Sequence, residues 1–110
     1  MRSILEIAIP RPLIELLSDL DFEEGALLLG SQEGNLVVIE GVAFTHCVST
    51  PIAFNCVPLP RDDLIGVFHK HVSASKRDFA IAKLWKAYLV SEGGVVKGYS
   101  YGRPVRVRVI

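Results

Sequence analysis

Cysteine is scarce in this chain. Cys47 and Cys56 are the only two in 110 residues, and they do not stand at a Cys-x-x-Cys spacing. That excludes a cysteine-based zinc knuckle and a disulfide-stapled secreted scaffold, and it predicts two reduced, buried thiols. A surplus charge of either sign is lacking too: 12 basic residues face 12 acidic ones. Nothing therefore draws the whole molecule toward nucleic acid or an anionic membrane. No apolar run approaches the ~20 residues needed to span a bilayer. The opening Met1-Arg2-Ser3-Ile4-Leu5-Glu6 lacks the apolar core of a signal peptide. These absences point to a cytoplasmic protein with no membrane or nucleic-acid partner. Repeats, linkers and low-complexity segments are missing as well.

What is abundant is apolar material, 50% of the residues, with a mean hydropathy of +0.37. That suffices for one domain over residues 1–110. Ile4 to Ile9 alternates as a strand and ends at Pro10. Leu13, Ile14, Leu16, Leu17 and Leu20 recur at helical spacing, with Pro12 tolerated in the first turn. Ala26 to Leu29 is a continuous apolar run, as in a strand covered on both faces. After a turn at Gln32-Glu33-Gly34-Asn35, extended segments follow from Leu36 to Val48, from Ile52 to Val57 and from Leu64 to Phe68. Ser75 opens a helix whose stripe is Ile81, Leu84, Trp85, Tyr88 and Leu89, ending at Glu92-Gly93-Gly94. Val95 to Tyr101 and Val105 to Ile110 close the chain as two strands. The pattern predicts an α/β (α+β) domain, a mixed sheet flanked by helices.

Three groups of residues carry candidate chemistry. His69 and His71 end an apolar strand, and their i, i+2 spacing puts both imidazoles on one face, with Lys70 on the other. They are either two unrelated polar residues or half of a metal site. Ser75 and Asp78 form S-x-x-D, an ordinary helix-capping pair; alternatively Asp78 is a third ligand and Ser75 a hydrogen-bond donor. Glu23-Glu24 is a solvated loop pair or the source of a general base. Two histidines and a carboxylate are a common ligand set for a catalytic zinc with one open position, and a spare glutamate could activate the water there. His46 reads as structural. Arg106 and Arg108, alternating with valines, read as the solvated face of a half-buried strand.

In this order the three groups resemble the JAMM/MPN family of metal-dependent peptidases and isopeptidases. That family shows a glutamate before a strand, then H-x-H closing a later strand, then S-x-x-D opening a helix. Here Glu23-Glu24-Gly25-Ala26-Leu27-Leu28-Leu29-Gly30, Gly66-Val67-Phe68-His69-Lys70-His71 and Ser75-Lys76-Arg77-Asp78 look like the three segments. The distance to Gly30 favours Glu23 over Glu24. The resemblance implies a cytidine deaminase-like architecture. It also implies zinc on His69, His71 and Asp78, Glu23 as general acid/base, and Ser75 as oxyanion donor. The implied substrate is an amide or isopeptide bond at the C-terminus of a ubiquitin-like or sulfur-carrier protein. Three departures stand out: Lys70 replaces the usual serine or threonine, Val72 replaces proline, and only three residues separate His71 from Ser75 where about seven are usual. So compact a chain fits a prokaryotic or archaeal type. A rival reading is a non-catalytic MPN-like module working by protein–protein contact, for instance as a homodimer. A third keeps the metal but takes a small amide or thioester-like substrate.

Overall fold

Pro10 both stops the first strand and starts the first helix, because its fixed φ suits a helix entry but its missing N–H cannot continue a ladder. The computed structural model describes residues 3–21, 24–49, 54–71 and 81–110, excepting the side chains of 49, 54, 55 and 71. Strand β1 (Glu6–Ile9) leads through Pro10 into α1 (Arg11–Ser18), with Pro12 in its first turn. Strands β2 (Gly25–Glu33) and β3 (Leu36–Ala43) form a hairpin whose turn holds Gly34 at a left-handed φ of 62°. A small ribbon, β4 (Cys47–Ser49) with β5 (Phe54–Cys56), stands outside the main sheet. Then come β6 (Leu64–His71), β7 (Ala87–Glu92), β8 (Val95–Ser100) and β9 (Arg103–Val109).

Seven strands close on themselves in the order β1-β3-β2-β6-β7-β8-β9. Closure comes from parallel pairing of β1 with β9, in the register Glu6↔Arg106 to Ile9↔Val109. The sheet is mixed, as its sequence pattern predicts: β1/β3, β1/β9 and β6/β7 are parallel and the other neighbours antiparallel. One face gathers side chains from all seven strands, among them Ile7, Leu28, Ile39, Phe68 and Leu89, against Leu13, Ile14, Leu17 and Leu20 of the α1 region. The other face carries Leu27, Val67, Tyr88 and Val90 and is covered by Ile81, Ala82, Trp85 and the β4–β5 ribbon. Each fully buried side chain of this size contributes roughly 1.5–3 kcal/mol.

Three sequence expectations need correction. The helix expected to end at Glu92-Gly93-Gly94 does not reach it: Ile81 and Ala82 are helical, but Ala87 to Glu92 is strand β7. Ala87-Tyr88-Leu89-Val90 is an unbroken apolar run, which fits a buried strand or a buried helix equally well. Among the described residues α1 is thus the one full helix, packed on one face, and the helical Ile81 and Ala82 lie against the other. Second, Cys47 and Cys56 form a disulfide. The two residues stand directly opposite each other in the β4–β5 register, which their spacing did not disclose. Third, His46 lies in the loop before β4 with an exposed side chain; its carbonyl accepts from the Val57 amide at 2.8 Å.

Candidate metal centre

Strand β6 delivers the histidines. Residues 65–68 are buried, so β6 runs through the middle of the sheet between β2 and β7. His69 is fully buried. It pairs with Gly25, the first residue of β2, on one side and with Val90 on the other. Strand alternation puts His69 on the face of Val67 and turns Lys70 to the face of α1. His71 ends the strand two residues on, in register with Glu92 of β7.

Lys70 answers a question its sequence position raises, since both faces of the sheet are covered there. Its Nζ donates to the carbonyls of Ser18 at 2.9 Å and Leu20 at 2.8 Å. The Ser18 carbonyl ends α1 and that of Leu20 lies two residues beyond, where helical partners run out and a positive charge suits the helix dipole. The Lys70 amide also donates to the Glu24 carbonyl at 3.0 Å. One residue therefore ties the histidine strand to the segment between α1 and β2 by three hydrogen bonds.

That segment is itself ordered locally. The exposed Glu24 carboxylate accepts from the Asp21 amide at 2.7 Å, and the Glu24 amide donates back to the Asp21 carbonyl at 3.2 Å. Glu24 is thus engaged in its own turn. Glu23, Ser75 and Asp78 lie outside the described residues, as does the His71 side chain. Among the described residues, no group of three His, Cys, Asp or Glu side chains converges. Of the expected ligands only the His69 side chain falls within them.

Sequence reasoning missed Glu92. The sequence reads it as a helix end, whereas β7 sets it in register with His71 of β6, half-buried. The parallel β6–β7 pair that creates this neighbourhood needs a strand at Ala87–Glu92, the element the apolar run concealed.

No family model matches the chain, and no curated protein matches it. Among solved structures, the chain is similar to a Jab1/MPN domain protein from Archaeoglobus fulgidus, with a TM-score of 0.59 at 21% identity. The match covers 98% of this chain and 99% of that one. At this identity the likeness is one of fold: the chain has an MPN-type fold. Among the described residues no helix is long and apolar enough to cross a membrane.

Proposed function

We propose that this chain is a zinc-dependent peptidase or isopeptidase that hydrolyses an amide or isopeptide bond at the C-terminus of a ubiquitin-like or sulfur-carrier protein. The observation that supports it is the register Gly25↔His69. Within an MPN-type fold, it sets the buried first histidine beside the strand start that follows Glu23 and Glu24. Two imidazoles on one strand face, with a carboxylate in the next segment, form a nitrogen–oxygen donor set suited to zinc. His69, His71 and Asp78 would hold the ion, which when bound supplies a Lewis acid for the scissile carbonyl and lowers the pKa of water.

The remaining work falls to the chain's own groups. Glu23 takes the proton of the attacking water and delivers it to the leaving amine nitrogen. Ser75 donates a hydrogen bond to the oxygen that gains charge. Lys70 fixes the segment carrying Glu23 against β6, which is the use this chain makes of the position between its histidines.

Zinc per chain in protein purified without added metal tests the ligand set, comparing wild type with His71→Ala and Asp78→Ala. Near-stoichiometric zinc lost in both variants supports it; zinc absent from wild type even after reconstitution overturns it. Cleavage of a linear ubiquitin-like fusion tests the rest. Glu23→Gln is expected to lower turnover by about 10²–10⁴-fold while zinc is retained. A zinc-loaded wild type that cleaves no fusion, conjugate or generic peptide overturns the peptidase reading.

A second reading, a non-catalytic interaction module, has one observation in its favour. Val48 and Val57 share the outer face of the β4–β5 ribbon, and both are about half exposed, as is Phe44 before it. If Val48→Asp with Val57→Asp abolishes a cellular phenotype that Glu23→Gln leaves intact, this reading wins.

A further inference from the structure

A cavity of about 400 Å³ opens at the end of the sheet away from His69. It lies where β7 and β9 begin and β2 and β8 finish, and its lining includes Ile4, Gln32, Lys86, Ser100, Tyr101 and Arg103. Among the described residues no acidic side chain lines it, and neither Lys86 nor Arg103 is in an ion pair. In a chain of zero net charge, two uncompensated cations at one cavity are a local excess. Ser100, 4% exposed, is withdrawn from bulk water but is among the residues that line the cavity.

Tyr101 adds an independent observation. With Gly102 it forms the two-residue turn between β8 and β9, both at left-handed φ of 47° and 84°. Such turns favour Asn-Gly or Gly-Gly, and a bulky aromatic is disfavoured in the first position. Here the Tyr101 amide donates to the Trp85 carbonyl at 2.9 Å, which holds the turn. The side chain stays 57% exposed at the cavity mouth. An exposed aromatic face offers a planar group a surface to stack on, and the neighbouring Lys and Arg offer charge to an anion attached to it.

We propose that this cavity binds a phosphomonoester of a planar organic group. Its phosphate oxygens accept from Lys86, Arg103 and the Ser100 hydroxyl, and the planar part packs on Tyr101. So many donors suit a phosphate's oxygens better than a carboxylate's two. This site is independent of the histidines and of the peptidase reading.

The test is calorimetric titration of the full chain with AMP, inorganic phosphate, adenosine and acetate, with a chelator present so that phosphate cannot report on a metal. AMP is expected to bind more tightly than phosphate, and adenosine and acetate to give no heat. Lys86→Gln and Arg103→Gln are each expected to weaken AMP by about tenfold or more. Tyr101→Asn, which suits the turn, should keep phosphate affinity and remove the advantage of AMP. Wild-type affinity for AMP should also fall at high salt, a readout that needs no variant to fold. The proposal is overturned if neither AMP nor phosphate binds at about 10 mM. Adenosine or acetate binding as well as AMP overturns it too, as does AMP affinity that is indifferent to both charge substitutions and to salt.

Discussion

At the scale of single residues, the most local electrostatic feature is a surface pair. The Arg61 guanidinium donates to Asp63 through Nε at 2.8 Å and through a second nitrogen at 2.9 Å. This hydrogen bonding holds the Asp63 carboxyl below the ordinary aspartate range and raises Arg61 above its own. Because the folded-state pKa is depressed, the stabilisation is present above the unfolded-state value, near ~3.9, and is lost as pH falls through the folded one. Both groups are solvent-exposed, so the effect on global stability is small and salt-screened. Arg61→Gln should return the Asp63 titration toward the ordinary range, as followed by carboxyl NMR. An unchanged midpoint would mean that the contact seen here does not persist in solution. Asp63 has a second use, since its carbonyl accepts from the Gly30 amide at 2.8 Å beside the β2 bulge.

Lys70 is the residue whose meaning changed most between sequence and structure. In the sequence it is a departure from the Ser/Thr of H-x-H; in the fold it is a strut between β6 and the end of α1. Lys70→Met keeps the aliphatic stem but loses both charge-assisted bonds to carbonyls, at an expected cost of about 1–3 kcal/mol. Lys70→Arg should recover part of this. Urea unfolding measures it, and amide exchange at Asp21 and Glu24 should speed up in the methionine variant. Unchanged stability and unchanged exchange would show that the strut is not used.

Elements differ sharply in how legible they are. Pro10, Pro12 and the Leu/Ile stripe gave α1 within a residue or two, because proline geometry and helical period act locally. Strands β1, β8 and β9 alternate or are bounded by turn residues, and their positions agree with the reading; β3 starts at Leu36 as expected but ends at Ala43, short of the expected run to Val48. Strand β7 does not announce itself, since a strand covered on both faces has no polar face to set its period. Its close pairing with β6 is written instead in Gly66, where an added Cβ would stand 1.8 Å from the Ala87 carbonyl oxygen. That signal concerns a partner 21 residues away and can be read only once the partner is known. The same holds for Glu92: its place beside His71 is a property of the β6–β7 register and not of its own surroundings in sequence.

The β4–β5 ribbon is legible only in part: the extended segment Ile52 to Val57 contains β5, but the separate β4 and its pairing with β5 are not written in the sequence. Each strand has only three residues, and such a ribbon is marginal without help. Cys47–Cys56 joins it across a separation of nine residues. A loop this short gives a disulfide stabilisation of about 2–3 kcal/mol if it acts by constraining the unfolded chain. The pair Cys47→Ser with Cys56→Ser, or a thiol reductant on wild type, should therefore lower Tm by several degrees. Labelling should find two free thiols only after reduction. Two thiols that label without reductant would restore the reduced state expected from the sparse cysteine content.

For the whole molecule, the question is what metal contributes to stability. Two apolar clusters fill opposite faces of a closed sheet, and none of the proposed ligands is a member of either. Glu6 further clasps the β1–β9 seam, its Oε1 lying 3.1 Å from Arg108. Small zinc fingers, lacking such a core, unfold without their ion; this chain is expected to stay folded after chelation. Any zinc bound by His69, His71 and Asp78 then acts as an ordinary ligand of the native state. It adds about 2.7 kcal/mol at a free concentration 100 times Kd, which for a domain of this size is a rise in Tm on the order of 10 °C. The discriminating experiment is thermal unfolding with chelator and with zinc, for wild type and for Asp78→Ala. Cooperative melting in both conditions, with a zinc-dependent rise in wild type that Asp78→Ala abolishes, is the expected outcome. A chain that loses its cooperative transition on chelation would place the ion among the elements that build the fold. A rise equal in both proteins would place zinc elsewhere than on Asp78, and the proposed ligand set would then be wrong.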